Sequence, residues 1–199
     1  TDNFKLSFSP STVLNASTRN IFRPAFYGII SSSVLAATLV KKTSPPVDGF
    51  VVEAPSAGGH NAPPRGQPIY NARGEPVYGQ RDEVDLKVIA DFGLPFWLAG
   101  SMGSNEALNE AMAKGAKGIQ VGTAFALCDE SGLDRRLKNE IIDLALSGRL
   151  DVLTDPLASP TGFPFKIARV PGTNSEQSLY EARARRCDLG YLREPYMKE

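Results

Sequence analysis

Gly49-Phe50-Val51-Val52-Glu53-Ala54-Pro55-Ser56-Ala57-Gly58-Gly59-His60 decides how the chain is read. Gly49–Glu53 is a short apolar run and predicts a buried strand. It opens into a loop with two adjacent glycines, which can take positive φ or let a ligand approach the backbone without a Cβ in the way. His60 follows, the only histidine in the protein, and imidazole is the side chain suited to acid–base work near neutral pH. A strand that ends in a permissive loop bearing one histidine is the pattern of an α/β active-site mouth. The same pattern also fits a loop histidine that only turns the chain or holds a hydrogen bond.

Working outward, strands and helices alternate. Phe4–Phe8 alternates apolar and polar as a short strand, and Ser9–Arg23 reads as loop. Ala25–Ile30 is an apolar strand; Ser31, Ser32 and Ser33 offer a helix N-cap. Val34, Leu35, Thr38 and Leu39 suggest the apolar stripe of that helix, Lys41 and Lys42 sit at its C-terminal dipole, and Pro45-Pro46 stops it. After the Gly49–Glu53 strand comes an insertion from Ala54 to Gln80, rich in Pro, Gly and Asn, with a hairpin turning at Asn71-Ala72-Arg73-Gly74. Residues 82–92 predict a helix with Val84, Val88 and Ile89 inward, and Leu94–Ala99 a strand. Ser104 caps a helix with the stripe Ala107, Leu108, Ala111 and Met112, ended by Gly115. Lys117–Val121 is a strand, and residues 133–148 an amphipathic helix through Leu137, Ile141, Leu144 and Ala145. Continuous apolar strands alternating with helices indicate an α/β fold with a parallel sheet buried on both faces.

The tail from Leu150 differs. It contains Pro156, Pro160, Pro164 and Pro171 and lacks a long apolar period, so residues 150–199 read as an irregular extension over the surface. Its Arg183, Arg185, Arg186 and Arg193 read as a solvated or salt-bridged face rather than an anion site.

Composition narrows the function. In 199 residues, 22 Lys+Arg balance 22 Asp+Glu, which gives no global field for nucleic acid or an anionic membrane. Cys128 and Cys187 are the only cysteines; they lack metal-ligand spacing and imply no disulfide framework, so a reducing cytoplasm fits. No apolar stretch is long enough to span a bilayer and no signal peptide is visible. Thr1 in place of Met, and an end without a fold signal, read as cut termini.

Two consecutive strands end in small-residue loops, Ala99-Gly100-Ser101-Met102-Gly103 and Val121-Gly122-Thr123-Ala124. Backbone N–H groups in such loops converge on phosphate, and Ser101 and Thr123 add hydroxyl donors. Phosphate sites after late strands recur in α/β barrels. A βα turn also uses glycine simply to turn tightly.

Ala57-Gly58-Gly59-His60, Leu98-Ala99-Gly100-Ser101 and Gln120-Val121-Gly122-Thr123-Ala124-Phe125, in that order, resemble the nitronate monooxygenase (2-nitropropane dioxygenase-like) family of FMN-dependent TIM barrels. Ser159-Pro160-Thr161-Gly162-Phe163-Pro164-Phe165 and Cys187-Asp188-Leu189-Gly190-Tyr191 resemble one subgroup of it. The resemblance implies the second half of a (β/α)8 barrel: residues 1–149 as a partial barrel that binds FMN, with the hairpin insertion at about 61–80, and the tail behind it. It implies His60 as the catalytic histidine. It implies flavin contacts at Glu53, Ala57, Gly58, Gly59, Gly100, Ser101, Gln120, Val121, Gly122 and Thr123. Glu53 stands where many members have glutamine, so it donates a hydrogen bond only when protonated. Ser101 replaces a glycine of the phosphate loop.

The implied activity is oxidation of nitroalkanes or nitronates with O₂, on a small-molecule substrate without nucleic acid or membrane. A homo-oligomer, or another chain, would close the half sheet. FMN enoyl-thioester reductases, which draw on NAD(P)H, are relatives and stay open as an alternative. From another class, a flavin-free phosphate-binding barrel such as an aldolase would need a lysine late on a strand, whereas Lys117 begins its strand. An inactive fragment is the last alternative.

Overall fold

The computed structural model describes residues 23–184. The expected strand at Phe4–Phe8, Arg185, Arg186, Arg193 and the Cys187–Tyr191 segment lie outside the described residues, as does the expected loop up to residue 22.

Four parallel strands stand in chain order: β1 (Tyr27–Ile30), β2 (Gly49–Glu53), β3 (Phe96–Ala99) and β4 (Gly118–Gln120). Helices α1 (Ser33–Lys42), α2 (Leu86–Asp91) and α3 (Asn105–Ala113) make the crossovers. After β4 come α4 (Thr123–Ala126) and α5 (Arg135–Leu146). Strands in strict sequence order, each followed by a helix, form an α/β half-barrel arrangement, as the motifs predict.

Local chemistry sets the ends of these elements. Ser32, extended at φ −158°, accepts the Leu35 N–H on its hydroxyl and starts α1. Asp85 accepts from Lys87 and Val88, Ser104 from Ala107 and Asp134 from Leu137, each satisfying N–H groups that the first helical turn leaves open. β1 is entered through Asp48, whose carboxylate accepts the Phe26 N–H at 2.6 Å and pairs with Arg23 at 2.8 Å. The Arg23 hydrogen bond holds the Asp48 carboxyl below its ordinary range.

The core lies between one sheet face and the helices. Ile30, Phe50, Val52, Phe96 and Leu98 meet Ala36, Ile89 and Ala111 there. The strand period of two puts the alternate residues on the other face, where Tyr27 and Ile29 are exposed and Tyr27 meets Trp97 edge to face at 4.8 Å. Gly49 lies under that pair: a Cβ there would fall 2.5 Å from the Pro95 carbonyl and 2.8 Å from the Tyr27 ring.

The helix faces depart from the sequence reading. Val34 is 75% exposed and Leu35 also faces out; the inward line is Ala36, Leu39 and Val40. Val88 and Met112 likewise point outward, while Ile89 and Ala111 are buried. α5 buries no apolar residue fully. Its one buried side chain is Lys138, 5% exposed, whose ammonium donates to the carbonyls of Cys128, Asp129 and Ser131.

The tail is less irregular than its prolines suggest. β5 (Asp151–Asp155) and β6 (Phe165–Arg169) pair antiparallel over five residues each, and α6 (Gln177–Ala182) follows. Pro156, Pro160 and Pro164 fall in the connecting loop and Pro171 follows β6, so none interrupts the ladder. Of the four arginines singled out in the tail, Arg183 falls in the described part; it lies over the Tyr180 ring at 3.4 Å, a cation–π contact rather than an ion pair.

Replacing Lys138 by Met leaves three carbonyls without their charged donor. We expect a loss of about 1.5–3 kcal/mol of stability, the range for hydrogen bonds to charged groups. Urea denaturation of Lys138→Met checks it; an unchanged midpoint would mean that water replaces the ammonium freely.

Candidate active site

The parallel register fixes the site. Glu53 pairs with Ala99, and Ala99 with Gln120, so three strands end level and their loops leave side by side. Those loops enclose a cleft of about 500 Å³. Every residue expected to contact the cofactor lines it: Glu53, Ala57, Gly58 and Gly59 from the first loop, Gly100 and Ser101 from the second, Gln120, Val121, Gly122 and Thr123 from the third. The first and third loops approach closely, since a Cβ on Gly58 would lie 3.6 Å from the Thr123 hydroxyl.

Two backbone features shape the second loop. Gly100 has φ +105°, and a Cβ there would stand 2.8 Å from Ser56 Oγ and 3.0 Å from the Ala57 nitrogen. Ser101 takes φ +55°, the left-handed region that glycine adopts without strain. The hydroxyl is gained at the cost of strain, of order 1–3 kcal/mol for a non-glycine residue held there.

Glu53 is the only ionisable side chain among the described residues lining the cleft. Burial raises its pKa above the ordinary 4.5, and His60 acts in the opposite direction. The shift favours the protonated acid, the form able to donate a hydrogen bond. With no Lys or Arg in the lining, a bound anion would be met by backbone N–H groups and hydroxyls. Small residues, the barred Cβ at Gly100 and the Ser101 and Thr123 hydroxyls suit a phosphate group.

His60 stands outside the lining, next to Gly59, on a seam with the tail. Asn61 N–H donates to the Pro164 carbonyl at 2.8 Å and Lys166 N–H to the Gly59 carbonyl at 2.9 Å, with His60 opposite Phe165 in an antiparallel bridge. The imidazole meets the Phe165 ring edge to face at 4.7 Å, and its Nε2 lies 2.6 Å from Ser159 Oγ. Asn61, buried, donates through Nδ2 to the Ala57 carbonyl and braces the corner from beneath. Sequence reading did not select Asn61, Ser159 or Phe165. Asn61 follows the Gly-Gly-His corner directly, and the Ser-Pro-Thr-Gly run was noted only as a subgroup feature.

The insertion hairpin also joins the tail. Arg73 pairs with Asp151 at 2.7 Å, and Glu75 accepts the Thr154 N–H at 2.9 Å. The hairpin turns where expected, with Gly74 N–H bonded to the Asn71 carbonyl.

A cleft at the carboxyl ends of parallel strands, cradled by glycine loops and flanked by a histidine, defines an α/β-barrel type of enzyme site. A profile described as nitronate monooxygenase matches residues 11–152, more than half of the chain, and the chain belongs to that family. No curated protein matches it. Among solved structures, FabK from Thermotoga maritima is 21% identical with a TM-score of 0.49, over 79% of this chain and 44% of that one. A point mutant of FabK is 21% identical with a TM-score of 0.46, over 75% and 42%. The chain spans less than half the length of these structures. Among the described residues no helix is long and apolar enough to cross a membrane and no group of acidic, Cys or His side chains could hold a metal.

Gly100→Ala meets both strain and close contact, and we expect it to destabilise the fold by about 2–5 kcal/mol. Ser101→Gly relieves strain while loosening the unfolded chain, so its stability should stay the same or rise by up to about 2 kcal/mol. Chemical denaturation checks both, and equal behaviour of the two variants would contradict the geometry.

The raised Glu53 pKa means that the folded protein holds this proton more tightly than the unfolded chain. The stability this contributes is present below 4.5 and lost as pH rises through the folded value. Glu53→Gln should therefore be more stable than the parent at neutral pH, with the advantage shrinking in acid. Melting temperatures across pH check this; a pH-independent difference would refute the linkage.

Proposed function

We propose that this chain forms the phosphate-cradling, proton-transferring part of an FMN-dependent oxidoreductase acting on nitroalkanes or their nitronates with O₂. The observation that supports it is the in-register convergence of three small-residue loops on one cleft with His60 at its edge. In this reading residues 1–149 hold the cofactor, and the extension from residue 150 supports the histidine.

FMN fits better than FAD, because the loops offer one phosphate cradle and the chain has no dinucleotide fingerprint. Gly58, Gly59, Gly100 and Gly122 would leave room for the ribityl phosphate, and Ser101 and Thr123 would donate to it. Gln120 and a protonated Glu53 would offer hydrogen bonds to ring heteroatoms. When bound, FMN would supply the redox chemistry between the nitronate and O₂. His60 takes the α-proton of a neutral nitroalkane, leaving its electron pair delocalised into the nitro group as the nitronate.

Mass spectrometry of heat-released cofactor tests the first part: FMN is expected, and FAD would overturn it. His60→Asn tests the second. Turnover of neutral nitroalkanes should fall by roughly 10²–10⁴-fold, the range for loss of a general base. Turnover of pre-formed nitronates, whose proton is already gone, should fall much less. Equal losses on both forms would mean that His60 orients rather than abstracts. Anaerobic bleaching of the flavin by NADPH but not by a nitronate would move the assignment to an enoyl-thioester reductase.

A further inference from the structure

We infer that Ser159, from the tail, is a positioning residue that holds the proton of His60 on Nε2 and so makes Nδ1 the reacting nitrogen. The inference rests on the reading of His60 as the base.

The geometry of the hydroxyls leads to this. Ser159 is 7% exposed, and its Oγ lies 2.6 Å from His60 Nε2 and 2.7 Å from Thr161 Oγ1, while the Thr161 N–H donates to it at 3.3 Å. A hydroxyl has one proton to give and two lone pairs to fill. With one lone pair occupied by the Thr161 N–H, two arrangements remain. If Ser159 donates to Nε2, the ring proton sits on Nδ1, and the only lone pair of the imidazole is already used. Such a ring has nothing with which to take a proton from substrate. If Nε2–H donates to Ser159 instead, the serine proton passes to Thr161 Oγ1, which also accepts the Phe163 N–H at 3.5 Å. Ser159 then accepts twice and donates once, and Nδ1 keeps the free lone pair that a base needs; it is this lone pair that separates the two arrangements. Nδ1 has no hydrogen-bond partner among the described residues. After proton uptake both ring nitrogens carry hydrogen, and the Nε2–H···Ser159 bond persists unchanged. The base thus completes its cycle without a rotation of the hydroxyl chain.

The Phe165 edge contact and the flanking backbone bonds through Gly59 and Asn61 fix the ring beside this acceptor. Ser159 touches no substrate in this scheme and works only through the imidazole.

Because His60 is the only histidine, selective ¹⁵N-histidine labelling of the full chain, without an added histidine tag, gives the signals of one ring. We expect a directly bonded proton on Nε2 in the neutral ring, protected from exchange. It should be lost to exchange in Ser159→Ala and restored in Ser159→Thr. A proton fixed on Nδ1, or an Nε2 signal unaffected by Ser159→Ala, would overturn the inference. This arm involves no turnover, so it stands apart from whether His60 is the base. The second arm is a double-mutant cycle on a neutral nitroalkane. Ser159→Ala should lower turnover by roughly 10- to 100-fold, the scale of a small misplacement of a reacting group, and should add no loss in the His60→Asn background. Equal losses in both backgrounds would make Ser159 merely structural. No loss from His60→Asn itself would remove the base reading while leaving the NMR result to decide the hydrogen bond.

Discussion

The alignment of Glu53, Ala99 and Gln120 across three parallel strands is the constraint on which the rest of the site depends. A parallel ladder fixes the relative height of neighbouring strand ends. A slip of one residue would also turn each strand's apolar set from the helix layer to the opposite face. Phe50 and Val52 on β2, with Phe96 and Leu98 on β3, are buried against the helices, so the core that stabilises the sheet also sets the level of the loops. The cleft is therefore a by-product of strand packing, and its small residues need only avoid filling it.

The histidine depends on a different layer. The loops of the sheet bring Gly58 and Gly59 to the cleft, but the orientation of His60 comes from the tail. Two backbone hydrogen bonds, an aromatic edge and one buried serine join the corner to the ribbon. The ribbon is tied in turn to the hairpin insertion through Arg73, Glu75, Asp151 and Thr154. Each surface ion pair contributes little alone. Their placement nevertheless makes insertion, ribbon and corner neighbours, so that none is merely a connection between elements.

Much of this was legible in the sequence because it is local. The bounds of β2, the Ser104 cap, the Asn71–Gly74 turn and the small-residue loops follow from nearest-neighbour chemistry, and the loops did converge on one cleft. The helix faces were harder. Val34, Leu35, Val88 and Met112 were expected inward because bulk and hydropathy mark a stripe. In α1 and α3, however, the fully buried contacts are Ala36 and Ala111, residues that let a helix approach a sheet closely and that hydropathy weights lightly. In helices of six to ten residues two candidate stripes differ by a single position. Ser159 was not legible because nothing near Ser-Pro-Thr-Gly points to a histidine far away in the chain. The β5–β6 ladder was hidden by prolines that fall between its strands or just past them.

The bond between His60 and Ser159 spans 99 residues. Closing so long a loop costs entropy that short-range contacts do not, so the sheet and its cleft can form from local βα pairings before the ribbon arrives. A chain emerging from the ribosome would thus bring its small-residue loops together well before its histidine is oriented. The shaping of the cleft and the orientation of His60 become separate events in the life of the molecule, the first belonging to the parallel sheet and the second to the β5–β6 ribbon.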